Sequence, residues 1–229
     1  MLDRKGLTGN QLKLLAMAAM TLDHVGVSLL PQWAWLRIIG RLAFPIFAFM
    51  IAEGCRYTRS KGRYLGLLAA VALVCQAVYF VAMESLYQCV LVTFSLSVIL
   101  IWLTDNAENR PTAGNITLAA LGVILAFFTA EILPELLPET DFSIDYGFCG
   151  IMLPVLIYLG KDQKSRLLFA GVGLAVLGLR YGGAQWYGLL ALLPLALYSG
   201  KRGKAKLKYL FYIYYPAHLA IIYLIGLIL

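Results

Sequence analysis

Charge is scarce in this chain. Only 14% of its 229 residues are Asp, Glu, Lys or Arg, and 61% are hydrophobic. An average soluble domain is about 25% charged and about 45–50% apolar. One soluble core of this length cannot enclose so much apolar surface, which excludes a soluble catalytic domain and a conventional nucleotide-binding domain. Familiar motifs are equally scarce. No P-loop, glycine-rich dinucleotide turn, HExxH or pair of carboxylates occurs, so phosphoryl transfer and zinc hydrolysis find no support. The four cysteines, Cys55, Cys75, Cys89 and Cys149, share no close spacing and read as small buried hydrophobes, not as a zinc or redox motif. There is no evident repeat and no low-complexity linker. The first apolar run is not followed by a small-residue cleavage site, so it reads as a retained helix and not as a signal peptide.

What the chain has is long apolar runs. Nine can be marked, at roughly 11–30, 36–56, 63–83, 86–104, 114–133, 145–160, 164–180, 183–199 and 207–229. They are continuously apolar and lack the period-two alternation of barrel strands. Short polar or turn-forming breaks separate them, such as Pro31-Gln32, Ser60-Lys61-Gly62 and Asn109-Arg110-Pro111. Since a span takes about 20 residues, the expected fold is all-α: a polytopic integral membrane bundle of about nine transmembrane helices, forming a single domain over residues 1–229.

The net charge of +7 is distributed by loop and not gathered into a nucleic-acid-binding patch. With the N-terminus inside, the inner segments hold Arg4, Lys5, Lys13, Arg56, Arg59, Lys61, Arg63, Arg110, Lys161, Lys164, Arg166, Lys201, Arg202, Lys204, Lys206 and Lys208. Of the 19 basic residues only Arg37, Arg41 and Arg180 remain for the outer side, whose longest loop is acidic. That asymmetry is the orientation signal of a multi-pass protein. A bacterial cytoplasmic membrane is the expected location.

Ionisable side chains inside a span are costly and point to function. His24 is separated from Pro31 by six residues, and Arg41 lies five residues into the next segment from the same side. At about 1.5 Å per residue the two are at similar depth, so Asp23, His24 and Arg41 can form one buried polar group. His218, eleven residues into the last segment, can approach it from below. Histidine can act as general base towards an amine or hydroxyl. A carboxylate can hold its tautomer or pair with Arg41, and Arg41 or a tyrosine can stabilise an oxyanion. A structural ion pair between Asp23 and Arg41 is the plainer alternative. Tyr212, Tyr214 and Tyr215 offer partners to His218, and Arg37 reads as an interfacial, snorkelling cation. Pro45 is expected to kink the second segment and free a carbonyl near the polar group. Glu53 is expected to pair with Arg56. The basic loop carrying Arg56, Arg59 and Arg63 is either an anchor on anionic headgroups or a landing site for cofactor phosphates. Asp145, before Tyr146-Gly147, is either a helix N-cap or a group that recognises an acceptor amine.

Four stretches carry a resemblance: Lys13 to His24, Gly40-Arg41-Leu42-Ala43-Phe44-Pro45-Ile46-Phe47-Ala48, Asp145-Tyr146-Gly147 with Gly150, and Tyr214-Tyr215-Pro216-Ala217-His218-Leu219. Together they resemble the TraX family of membrane acetyltransferases, named for a conjugation protein that acetylates pilin, and more distantly the wider transmembrane acyltransferases. The resemblance implies His24 as catalytic base, Asp23 and Arg41 as its partners, and cytosolic acetyl-CoA as acyl donor. The basic loop with Arg56, Arg59 and Arg63 becomes a coenzyme A contact, and Asp145, Tyr146, Tyr215 and His218 face the acceptor. That acceptor is a pilin-like or other peptide amine, or a glycan hydroxyl. The other classes the residues permit are a proton-coupled transporter and a non-catalytic component of a conjugation or pilus machine. The partners expected are the bilayer, acetyl-CoA and the acceptor, with no nucleic acid.

Overall fold

The computed structural model describes residues 6–205 and 207–228. Arg4, Lys5 and Lys206, counted above as inner cations, lie outside the described residues, as does the side chain of Lys208. Among the described residues every regular element is helical, and nine helical rods follow the nine apolar runs. In order they are α1 (Gly9–Ser28); α2 (Ala34–Gly40) with α3 (Ala43–Tyr57); α4 (Lys61–Met83); and α5 (Val90–Asn109). Next come α6 (Ala113–Phe127), continued by a π turn (Phe128–Ile132) into α7 (Leu133–Leu136), then α8 (Gly147–Leu159) and α9 (Gln163–Tyr181). A 3-10 helix (Gly183–Ala191) running into α10 (Leu192–Ala196), and finally α11 (Lys208–Ile228), complete the set.

Five rods are long and apolar enough to cross a membrane: Ala34–Tyr57, Lys61–Val81, Val90–Asn109, Ala113–Leu136 and Leu210–Ile228. The chain is a multi-pass membrane protein. α1 is as long as α5 but less apolar, because Gln11, Lys13, Asp23 and His24 interrupt it. Side chains such as Leu73 (70% exposed) and Val81 (80% exposed) on α4 are what a lipid-facing helix shows. Helix starts follow local capping chemistry. Thr8 and Gln11 form a capping box on α1, with Thr8 N to Gln11 Oε1 at 2.8 Å and Gln11 N to Thr8 Oγ1 at 3.3 Å. Ser60 caps α4 and Thr112 caps α6 in the same side-chain-to-amide manner.

The chain divides into two compact units: residues up to Met50 together with Gln163 onwards, and Ile51–Asp162. In the first, α1 packs on α2 and α11, and α9 packs on the 3-10 helix. A side chain on Gly26 would come within 2.8 Å of Leu36 Cβ, and one on Gly40 would overlap Asp23, so these glycines set how closely α1 and α2 approach. The first amides of α1 are closed by the loop after α10: Gly9 N donates to Lys201 O (2.8 Å) and Asn10 N to Arg202 O (2.9 Å). The 3-10 helix puts Gln185, Gly188 and Ala191 on one buried row, as a winding with three residues per turn requires.

In the second unit α5 packs on α4, α6 and α8. Hydroxyl contacts join these apolar helices, among them buried Ser97 donating to Ile151 O at 2.7 Å.

Candidate active site

The first unit holds the buried polar group expected from the sequence. Asp23, five residues before the end of α1, sits against Gly40 at the end of α2. Its carboxylate accepts from Arg41 Nη2 at 3.2 and 3.3 Å and lies 3.6 Å from Arg37 Nη1. Arg41 also donates through Nη1 to Gln185 Oε1 (3.2 Å), on the buried row of the 3-10 helix. The kink expected at Pro45 is instead a complete break: α2 stops at Gly40, Arg41 and Leu42 form a turn, and α3 starts at Ala43. Pro45 falls in the first turn of α3, where its missing amide costs least. The amide it lacks is the one that would have bonded Arg41 O, so the interruption falls at the arginine.

His24 and His218 meet directly. His218 Nε2 lies 3.2 Å from His24 Nδ1, with ring centroids 5.0 Å apart at 65°. Each Nδ1 also lies 2.9 Å from the backbone carbonyl four residues earlier, Met20 O for His24 and Tyr214 O for His218. A carbonyl oxygen only accepts, so each Nδ1 carries a proton, and when the rings are neutral each Nε2 keeps its lone pair. His218 Nε2 is then an acceptor for His24 Nδ1–H, shared with Met20 O. One basic lone pair remains, on His24 Nε2, which has no hydrogen-bond partner among the described residues.

His218 is held by two tyrosines. Tyr214 stacks on it nearly parallel, at 5.2 Å and 8°, and Tyr215 meets it edge-on at 5.6 Å. The Tyr214 hydroxyl donates to Thr21 Oγ1, whose own hydrogen goes to Met17 O (3.1 Å). Thr21, one turn before the Asp23–His24 pair, is a contact the sequence reading missed; a threonine at helical spacing from His24 was the available signal. Gln185, 144 residues from Arg41 in the chain, offered no local signal.

The remaining sequence-predicted residues belong to the second unit. Arg56 Nη2 donates to Tyr158 O (2.6 Å) and Gly160 O (2.9 Å), closing the C-terminal carbonyls of α8. Arg59 and Arg63 are exposed on the turn into α4. Beside them is an open cleft of about 330 Å³ lined by Thr58, Arg59, Ser60, Lys61, Gly62, Trp102, Asp105 and Asn106. Lys61 is paired there with Asp105 at 2.7 Å, and Asp105 also accepts from the Tyr158 hydroxyl at 2.8 Å. Asp145 is not the N-cap of α8. Tyr146 takes that place with φ of 62°, and Glu131, from the π turn, supplies the carboxylate that accepts Phe148 N (2.9 Å). Asp145 is fixed by its backbone to Gln88 O and Thr93 Oγ1, and its carboxylate meets the Tyr87 hydroxyl. Burial and that carboxylate push the Tyr87 phenol up. No cluster of three or more His, Cys, Asp or Glu able to hold a metal occurs among the described residues.

Comparison with known proteins decides the family. The TraX protein family matches residues 8–226. This chain belongs to the TraX family. It is 30% identical over 240 residues to a probable fimbrial assembly protein, FimC of serogroup H1, from Dichelobacter nodosus, covering 93% of both chains. It is 26% identical over 156 residues to an uncharacterized protein of Rickettsia prowazekii (strain Madrid E), covering 68% of this chain and 57% of that relative. No solved structure matches. The matched segment contains every residue of the buried polar group, and the resemblance of the four stretches noted above falls inside it.

Proposed function

We propose that this TraX-family protein is a membrane acetyltransferase that moves an acetyl group from acetyl-CoA to an amine or hydroxyl acceptor. The observation that carries the reading is His24, whose Nδ1–H is committed to Met20 O and His218 while the Nε2 lone pair is left over. In this reading Nε2 takes the proton from the acceptor as its nitrogen or oxygen attacks the acetyl carbonyl carbon. The tetrahedral intermediate collapses with cleavage of the carbon–sulfur bond. The departing thiolate recovers the proton from His24 Nε2–H and leaves as the free thiol of coenzyme A.

His218 is assigned a positioning role and not the acceptor contact expected from the sequence. Its Nε2 receives the His24 Nδ1–H, a bond that strengthens as His24 becomes imidazolium. Asp23 and Arg41 keep α1 and the α2–α3 corner in register beside it. The exposed Arg59 and Arg63, at the start of α4, are assigned to the phosphates of coenzyme A, which suit guanidinium donors and a helix N-terminus. Arg56 is left out of that set because its guanidinium closes α8. The name of the Dichelobacter relative favours an acceptor belonging to a fimbrial or pilus system.

Calorimetric titration of the detergent-purified chain with acetyl-CoA, against dephospho-CoA and buffer, tests the donor. Saturable binding, weakened about tenfold in an Arg59→Gln/Arg63→Gln variant through lost charge-assisted bonds, is the expected result. Absence of binding at millimolar acetyl-CoA sinks the acetyltransferase reading and leaves proton-coupled transport as the use of the same residues.

A further inference from the structure

The charges around Asp23 do not cancel. One carboxylate faces two guanidiniums, Arg41 at 3.2 Å and Arg37 at 3.6 Å, and no other acid pairs with either arginine among the described residues. Gln185, the remaining side-chain partner of Arg41, is neutral. Arg41 is largely buried, and its Nε–H is enclosed without a hydrogen-bond partner among the described residues. The pair Asp23–Arg41 is therefore neutral, and Arg37 carries the excess. Its side chain is 36% exposed and makes no hydrogen bond among the described residues, so its forked donors are available. A lone cation at such a place is stabilised by an anion and costly without one.

The neighbours of Arg37 indicate its depth. Trp33 and Trp35 are about half exposed and stacked at 5.9 Å, at the start of the same short helix. Paired exposed tryptophans of this kind mark the headgroup level of a bilayer. Arg37 follows within about one helical turn, or about 5 Å, which is the reach of a guanidinium to a phosphate in that layer. A guanidinium binds the oxygens of a phosphate in bidentate fashion.

We infer that Arg37, backed by the neutral Asp23–Arg41 pair, is a subsite for a phosphate-type anion at the level of the Trp33–Trp35 rings. The anion comes either from a lipid headgroup or from a phosphate that a soluble molecule carries in. Its meaning for transfer, that an acceptor presents a negative group beside the nucleophile that His24 deprotonates, rests on the acetyltransferase reading. Anion binding itself does not, and is measured without acetyl-CoA.

The tryptophans report on the site. The full chain is reconstituted in phosphatidylcholine, and quenching is compared for brominated phosphatidylglycerol and brominated phosphatidylcholine. In parallel, inorganic phosphate is tested against chloride at equal ionic strength for protection from thermal unfolding in neutral detergent. A preference of about fivefold for the anionic lipid, the scale of one basic residue at such a surface, is expected in the wild type. It should vanish in Arg37→Gln and survive in Arg37→Lys. Asp23→Asn, which leaves a second uncompensated cation, should increase it. A lipid preference lost in Arg37→Gln identifies the headgroup as the source. Protection by phosphate that is lost in Arg37→Gln, without a lipid preference, identifies the soluble source. Responses of both kinds that are equal in wild type and Arg37→Gln, or absent from both, overturn the subsite. Should Asp23→Asn fail to fold, the Arg37→Gln and Arg37→Lys pair still decides.

Discussion

Two polar clusters sit within otherwise apolar helices, one in each unit, and they differ in whether their groups are used up. Around Asp105 the ledger closes. One lysine meets one carboxylate at 2.7 Å, and the second carboxylate oxygen accepts from Tyr158 at 2.8 Å. Around Asp23 and His24 it does not. Two arginines share one carboxylate, and His24 Nε2 has no hydrogen-bond partner among the described residues. Helices can be joined by either arrangement. Only the second leaves a base and a cation for a visiting molecule. The contrast distinguishes chemistry from adhesion better than the mere presence of intramembrane charge does.

The comparison breaks or sharpens under substitution. The largest effect is expected at His24. Replacement by Gln should lower acetyl transfer by about 10²–10⁴-fold, the contribution of a general base, while thermal stability and acetyl-CoA affinity stay close to wild type. An undiminished transfer rate would reduce His24–His218 to a helix contact. The reverse pattern is expected at Asp105. Asn there should destabilise the chain by about 1–3 kcal/mol, since Lys61 keeps its charge and loses its counter-ion. Denaturation should show that loss, and transfer per folded molecule should be unchanged; a selective fall in transfer would make the closed cluster part of the reaction.

The smallest effect lies in the loops of the second unit. Asp141 accepts from the Ser85 hydroxyl and from Leu86 N at 2.7 Å, and these donors hold its carboxyl below the ordinary value of 3.8. A lowered folded pKa means that the tether is complete above that ordinary value and is lost only as pH falls through the lowered one. Amide exchange at Leu86, corrected for the intrinsic rate, should therefore be steady from neutral pH into mild acid. In Asp141→Asn it should be faster throughout, and equal protection in the two proteins would show that the loop is held elsewhere.

Much of the Asp23–His24 cluster was legible in the sequence. An Asp-His pair and an arginine at matching depths on consecutive segments left few ways to avoid one another, and a second histidine in the last apolar run stood out against only two in the chain. Nine runs gave nine rods because apolar length is the dominant constraint in a bilayer. What stayed hidden depended on backbone geometry. Nothing local marks Gln185 as the partner of Arg41. The pattern of a basic loop does not separate Arg56, turned onto carbonyls, from Arg59 and Arg63, turned outward. Asp145 carries the right residue type for a cap, yet the place went to Tyr146 in a left-handed conformation and the carboxylate to Glu131 from a π turn. Such substitutions of one acid for another are set by tertiary placement and not by spacing.

The 3-10 winding of Gly183–Ala191 has a consequence for length. At about 2.0 Å per residue it rises about 18 Å, where α-helical winding would give about 14 Å. With α10 appended, a stretch of only fourteen residues extends about 25 Å, close to the thickness of a hydrocarbon layer. Stretching the helix lets a segment too short to cross the layer as an α-helix cover most of it. It also makes the register unforgiving: one residue inserted before Gln185 would turn its amide about 120° away from Arg41.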